Sequence, residues 1–296
     1  MAIVFKEVNY SYQSKTPNAF QLLKNVSFRL ADGSFTALLG QTGSGKTTLL
    51  KHINGLLKPS SGQVIVGDQI ISSKTSEKDL ADLRKNVGFL FQFPETQLFA
   101  PTVLQDVAFG PENFGQTKPS AEQIAKKTLE MLGFDMTLLN QSPINLSGGQ
   151  QRLAALAGVL ATEPQILLLD EPTAGLDPST AKRVMILFKK LQQEKHLTIL
   201  MATHDMDAAA EFADQILLMQ QGKLVKQAAP KDMFQEKELV FQKILALPKV
   251  TTFAIRFAAK TGYTNQKLPI SEKELISFLQ RALSQDPSGK ETTPHA

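Results

Sequence analysis

Three apolar runs along the chain stop abruptly at polar, turn-forming or charged residues. Ser34-Phe35-Thr36-Ala37-Leu38-Leu39 runs into Gly40, Ile166-Leu167-Leu168-Leu169 into Asp170-Glu171, and Leu197-Thr198-Ile199-Leu200-Met201-Ala202 into Thr203-His204-Asp205. Runs of four to six residues without charge read as strands buried on both faces, and such strands belong to parallel sheets whose crossovers are helices. Further strands are expected at 63–66, 86–91 and 215–220, with Gln221-Gly222-Lys223 as a tight turn into a last strand. Residues 1–30 read as short strands of an edge sheet, with Lys15-Thr16-Pro17-Asn18 as a loop between them. Lys46–Ile53 reads as a helix, and the polar stretch Ser72 to Glu77 leads into a short charged one.

From about 93 to 163 the pattern turns mainly helical. Ser120 with Gln123 has the spacing of a capping box, with Ile124, Leu129 and Leu132 inward and Gly133 as the stop. Ser147 is placed to cap a helix from Gly148 to roughly Thr162. Beyond about residue 230, Pro248 is expected to open a helix whose Val250, Phe253, Ala254, Phe257 and Ala258 share one face. Ser271 and Glu274 form a second capping-box pattern, for a helix with Leu275, Phe278, Leu279 and Leu283 on one side. The pattern predicts an α/β domain over 1–230, a small helical domain over 231–284 and a polar tail over 285–296.

Gly40-Gln41-Thr42-Gly43-Ser44-Gly45-Lys46-Thr47, followed by Thr48, fits the phosphate-loop pattern G-x-x-x-x-G-K-[ST], between a strand and a helix as that motif requires. Glycines let successive N–H groups close on phosphate oxygens, and the helix points its positive end at them. Lys46 is expected to reach the β- and γ-phosphates and the Thr47 hydroxyl to ligate Mg²⁺. Asp170 and Glu171 lie at the carboxyl end of a strand, where ligands of open parallel sheets bind. Asp170 suits Mg²⁺, and Glu171 suits polarisation of an attacking water. The competing reading is a carboxylate pair that merely caps the turn before Pro172.

Composition narrows the picture. A chain of 296 residues holds one large domain and an appendage. There is no cysteine, so disulfides and thiolate metal sites are excluded. No apolar run approaches the roughly 18 residues of a membrane span, and the start lacks the basic-then-apolar order of a secretory signal. A net charge of +4 is too mild to argue for nucleic acid. Between Leu239 and Ser271 there are basic residues, Lys243, Lys249, Arg256, Lys260 and Lys267 among them, and no carboxylate. This stretch is either an ordinary solvated surface or a contact with an acidic partner or anionic lipid.

Leu146-Ser147-Gly148-Gly149-Gln150, lying between the phosphate loop and the carboxylate strand, resembles the signature of the ATP-binding-cassette (ABC) ATPases. The resemblance implies that Ser147, Gly148, Gly149 and Gln150 act on ATP held by a second subunit, and that Asp177 of Ala174-Gly175-Leu176-Asp177 lies in a D-loop crossing the same interface. It further implies that Gln92 is the Q-loop contact to Mg²⁺ and water, that His204 donates to the γ-phosphate, and that Tyr12 stacks on adenine; plain sheet packing is the alternative for Tyr12. About 100 residues intervene between phosphate loop and signature without sustained heptads, unlike chromosome-associated members, and there is one cassette, unlike translation-factor members.

Phe91-Gln92-Phe93-Pro94-Glu95-Thr96-Gln97-Leu98-Phe99, with the following Thr102 to Pro111, is similar to the ATPase subunits of energy-coupling factor (ECF) importers. The Gln-Thr-Gly-Ser-Gly-Lys loop is similar to the second, A-prime, type. The implied assembly is a heterodimer with a sister ATPase beneath a transmembrane coupling subunit, with an interchangeable membrane subunit carrying a vitamin or other micronutrient. That places the chain peripherally on the cytoplasmic face of a prokaryotic membrane, with no nucleic acid expected. Glu95, Leu98 and Phe99 are then candidates for the groove that receives a partner helix; the alternative is that Leu98 and Phe99 pack internally and Glu95 is solvated. Other ABC importers of the cobalt or nickel type, and soluble ABC ATPases on ribosomes or nucleic acid, are the competing classes.

Overall fold

The computed structural model describes residues 1–12, 20–263 and 267–284, and in it the predicted strands assemble into two sheets. The strands are β1 (Ile3–Tyr12), β2 (Phe20–Leu30), β3 (Phe35–Leu39), β4 (Ser61–Val66), β5 (Gln69–Ile71), β6 (Val87–Leu90), β7 (Ile166–Asp170), β8 (Thr198–Ala202), β9 (Gln215–Gln220) and β10 (Lys223–Ala228). The main sheet runs β10-β9-β3-β8-β7-β6, parallel except for β10. The second, β2-β1-β4-β5, is antiparallel. The expected α/β class with a mixed sheet and an antiparallel edge is therefore present.

Helices fill the crossovers: α1 (Lys46–Ile53), α2 (Glu77–Asn86), α3 (Val103–Asn113), α4 (Lys118–Met131), α5 (Gly148–Leu160), α6 (Pro178–Lys195) and α7 (Met206–Phe212). After β10 come α8 (Pro230–Met233), α9 (Lys237–Phe241), α10 (Lys249–Thr261) and α11 (Glu272–Ser284). Every residue of β3, β6, β7 and β8 is buried, which explains their unbroken aliphatic runs. Successive residues face opposite layers. Leu167 and Leu169 join a cluster with Val107, Leu129, Leu153 and Phe188 on the helical side, whereas Ile166 and Leu168 join one with Phe5, Val64, Leu49 and Ile53 under the antiparallel sheet.

Three expectations need correction. β1 and β2 are ten and eleven residues long, not short. Register shifts along their pairing, with Glu7 and Asn25 at positive φ, interrupt the apolar alternation and make each look broken in sequence. The Lys15–Asn18 loop lies outside the described residues. Ser120 does not begin a helix: Thr117 is the N-cap of α4, Pro119 lies in its first turn, and the Ser120 hydroxyl donates to Gln116 Oε1 at 2.9 Å from inside the helix. A proline pre-set for the first turn outweighs the capping-box pattern one residue later.

The C-terminal helices form where expected, but their faces are rotated. α10 buries Thr251 and Ala254 while Phe253 stays 51% exposed; α11 buries Phe278 and Ala282 and leaves Leu283 exposed. The Ser271 hydroxyl does accept from Glu274 N, at 3.3 Å, but the Glu274 carboxylate accepts from Ile270 N at 2.9 Å rather than from the cap residue. Met233, Phe234 and Leu245 pack on Ala37, Leu39, Ile216 and Leu218 of the main sheet. Lys249, the first residue of α10, donates its backbone N–H to Asp207 Oδ1 at 2.8 Å and pairs its ammonium with Oδ2 at 3.3 Å, so one basic residue of the carboxylate-free stretch has a partner within the chain.

Candidate active site

The strand order decides what meets at the carboxyl edge of the main sheet. β8 lies between β3 and β7, so the loops after these three strands stand side by side. Those loops carry the phosphate loop, His204, and the Asp170-Glu171 pair. β6, next to β7, delivers Gln92. Residues spread over 165 positions thus converge without any local sequence signal.

Thr42, Gly43, Gly45, Lys46, Thr47, Thr48, Gln92, Asp170 and Glu171, with Leu22 from β2, line a cavity of about 180 Å³. The Thr47 hydroxyl donates to Asp170 Oδ2 at 2.7 Å. Lys46 Nζ donates to Gly40 O at 2.7 Å and Gln41 O at 3.2 Å. Gln41 itself reaches outward, its Nε2 donating to Lys243 O at 3.2 Å. Gly40 has no room for a Cβ, which would stand 2.3 Å from Met219 O. Gly43 is different: at φ +81°, the Cβ position meets nothing and opens into the cavity. The buried Ser44 hydroxyl has no partner.

Burial sets the electrostatics. It lowers the Lys46 pKa, against the pull of Glu171 and Asp170. It raises that of Asp170, against the Thr47 hydrogen bond and the charge of Lys46. Each charge is thus held in a place that disfavours it, and a polyanion beside Lys46 with a cation beside Asp170 would relieve both. The open space at Gly43 and the oxygen donors of Thr47, Asp170 and Gln92 fit a triphosphate with Mg²⁺. Among the described residues no group of three or more His, Cys, Asp or Glu is placed to hold a metal by itself.

Glu171 follows Asp170 in a left-handed conformation, φ 52°, with its N–H donated to Ala202 O at 2.9 Å. One carboxylate oxygen meets His204 Nδ1 at 2.9 Å, and the other accepts from the Thr203 hydroxyl at 3.4 Å. The pair is therefore no simple cap of the turn at Pro172. The His204 ring is 79% exposed and reaches across to the acid. His52, by contrast, is buried in α1 against Tyr10, with Nδ1 2.7 Å from Thr48 O, and burial pushes its pKa down to about 4.

The remaining candidates lie outside this cavity. Ser147 caps α5 in a full capping box: its N–H donates to Gln150 Oε1 at 2.9 Å and its hydroxyl accepts from Gln150 N at 3.4 Å. A Cβ at Gly148 would meet nothing, and at Gly149 only Leu176 at 3.9 Å. Ser147 and Gly148 are exposed, as is neighbouring Ile144. Asp177 caps α6, accepting from Ser179 N and Thr180 N at 3.0 Å, which lowers its pKa, the Thr180 contact foremost. Tyr12 is 41% exposed beside Tyr10, apart from the residues lining the cavity.

Beyond Gln92 the chain makes a 3₁₀ turn, Pro94–Gln97, closed by Asp106 accepting from Phe99 N at 2.8 Å and Ala100 N at 2.7 Å. A groove of about 250 Å³ there is lined by Phe89, Leu98, Phe99, Phe109, Phe114 and Val159, among others. Leu98 packs on the helical core, whereas Phe99 is 66% exposed against Phe109. Glu95 is neither free nor merely solvated: it pairs with Arg152 of α5 at 3.5 Å. Arg152 carries one signal in the sequence, a cation on an otherwise uncharged helix.

Comparison with known proteins follows the same geometry. The family model described as "ABC transporter" matches residues 23–174. The energy-coupling factor transporter ATP-binding protein EcfA2 of Enterococcus faecalis is 45% identical over 285 residues, 96% of this chain and 98% of that protein. The chain belongs to the energy-coupling factor transporter ATP-binding proteins of the ABC family. Solved structures agree that the fold is that of an ABC cassette. CbiO1 from Clostridium perfringens, part of the ABC transporter complex cbiONQ, superposes with a TM-score of 0.72 at 34% identity, covering 88% of this chain and 98% of that one. The dimeric post-hydrolysis state of the ATP-binding cassette MJ0796, bound to ADP and phosphate, gives 0.71 at 31% identity over 77% and 98%. The ECF protein described here is thus an ATP-binding, ATP-hydrolysing transporter subunit.

Proposed function

We propose that this chain is the A-prime-type motor of a micronutrient importer, converting ATP hydrolysis into movement of membrane partners. The juxtaposition of Lys46, Thr47, Asp170, Glu171, His204 and Gln92 at one sheet edge carries the reading. Lys46 and the loop N–H groups bind the phosphates. Thr47, Asp170 and Gln92 would hold Mg²⁺, which would offset the negative charge of the phosphates. Glu171 takes a proton from the attacking water, and His204, held against it, steers toward the γ-phosphate. Tyr12 stacks on the adenine. Ser147, Gly148, Gly149 and Gln150 close over ATP in a sister ATPase, with Asp177 at the same seam.

The domain over 231–284 serves as an accessory and dimer contact. The membrane coupling subunit inserts a helix into the groove at Phe99, and an interchangeable membrane subunit binds the vitamin. This puts the chain on the cytoplasmic face of the cell membrane as a peripheral subunit. The absence, among the described residues, of any helix long and apolar enough to cross a membrane suits such attachment through partners. Likeness to CbiO1 favours, as a second reading, an importer of the kind formed by cbiONQ.

The exposure of Phe99 and the internal roles of Leu98 and Glu95 determine the useful variant. Leu98→Asp or Glu95→Lys would damage the core or oppose Arg152, so Phe99→Asp is the cleaner probe. Co-expressed with its membrane subunits, wild-type protein should float with vesicles. Phe99→Asp should stay behind with ATP affinity unchanged. Flotation of both alike would reject the groove, and wild-type protein that stays soluble and binds ribosomes or nucleic acid would reject the transporter reading.

A further inference from the structure

Arg152 lies one turn into α5, behind the signature residues, and its guanidinium holds two segments and faces a third. Nη2 donates to Gln92 O at 2.7 Å and stands 3.5 Å from Glu95 Oε2. Nη1 is buried and has no hydrogen-bond partner. It stands 3.6 Å from where a Cβ on Gly175 would be, and nothing else comes within 4 Å of that point. The side chain is only 7% exposed. A buried guanidinium N–H without an acceptor is costly, and its geometry tells where an acceptor is wanted.

The three segments are the Q-loop, the turn that borders the groove, and the turn Ala174–Asp177 that leads into α6. The first two follow one another along the chain, whereas the third is far from both in sequence. Glycine at 175 leaves the approach between that turn and Nη1 open. Leu176 of the same turn faces Gly149, standing 3.9 Å from where a Cβ there would be.

We propose that Arg152 is a positioning residue that makes groove, Q-loop and D-loop act together, its vacant Nη1 being taken by a backbone carbonyl of residues 173–177 when ATP closes the dimer. Occupancy of the groove then reaches Gln92 through Glu95 and Arg152, and dimer closure reaches the groove by the same route in reverse. Arginine is required because a guanidinium presents donors on two sides in a fixed plane, which a lysine ammonium does not. The inference rests on the proposed ATP-closed dimer of cassettes.

Hydrogen exchange tests it, using the full chain with its partner ATPase and the Glu171→Gln substitution to hold ATP. With Arg152 intact, ATP should protect the amides of 173–177 at least threefold. In Arg152→Lys the protection should vanish while ATP affinity of the separate subunit stays within twofold. In the complete hydrolysis-competent complex, Arg152→Lys should lower kcat at least fivefold and leave KM within twofold. Should Arg152→Lys not fold, Glu95→Gln, at a half-exposed carboxylate, should speed exchange at 91–95 and reduce ATP-dependent protection at 173–177. If the Arg152-intact protein shows no ATP-dependent closure, the dimer and the link both fall. If it closes and the variant gains the same protection with an unchanged kcat, the link alone falls.

Discussion

The phosphate cavity and the signature turn both stand at helix N-termini, and they are finished to different degrees. The cavity brings its own lysine and acids, and its members are tied together: Thr47 to Asp170, Lys46 to Gly40, Glu171 to His204. The signature turn has a complete capping box and two unencumbered glycines but no cation, and it faces outward. An N-terminus with free N–H groups attracts anions without basic side chains. The difference fits the proposed division of labour, in which the cavity holds ATP by itself and the signature turn is a half-site that acts on a second subunit.

The cavity should break hard when its chemistry is removed. Glu171→Gln should slow single-turnover hydrolysis by about 10²-fold or more, the usual scale for a general base, and retain bound ATP. The sister subunit's own catalytic acid must be blocked in that assay. Full turnover by the doubly blocked complex would displace Glu171 from its role.

Lys46→Ala removes charge-assisted phosphate contacts worth roughly 1.5–3 kcal/mol each. Equilibrium nucleotide binding to the isolated subunit should weaken by about one to two orders of magnitude. An affinity within twofold of wild type would mean that the loop amides alone hold the phosphates.

A smaller effect probes the support under the cavity. His52 is held neutral at about pKa 4 by burial, against an ordinary value near 6.5. Above pH 6.5 folded and unfolded chains are both neutral there, and the group adds no pH dependence. As pH falls from 6.5 toward 4, the unfolded chain takes a proton that the folded one refuses, so stability is lost. Between pH 7 and 5.5 the loss is about 1 kcal/mol. Denaturant titration of wild type against His52→Gln should show that increment in wild type only; parallel curves would mean His52 is protonated in place.

How much of this was legible in sequence depends on the kind of interaction. Buried parallel strands announce themselves, because both faces need apolar residues, and β7 and β9 were located to the residue. The phosphate loop was legible because its chemistry is local. By contrast, the β1–β2 pairing hides behind bulges, and the α4 start was decided by Pro119 rather than by a capping pattern. The exposed edges of α10 and α11 depend on which side of each stripe finds a neighbour, and periodicity does not encode that. Arg152 was invisible for the same reason: its partners Gln92, Glu95 and the Gly175 turn are distant in sequence. The Glu171–His204 contact likewise arises from β7 pairing with β8.

The most direct test of the half-site account is Gly149→Gln. Its Cβ would meet only Leu176 at 3.9 Å, so the fold has room for it. ATP affinity of the isolated subunit should stay within about twofold, since the cavity is untouched, while ATP-driven association with the partner ATPase in the Glu171→Gln background should be abolished. If Gly149→Gln instead weakened ATP binding to the isolated subunit as severely as Lys46→Ala, the signature would act within its own chain and the account would be wrong.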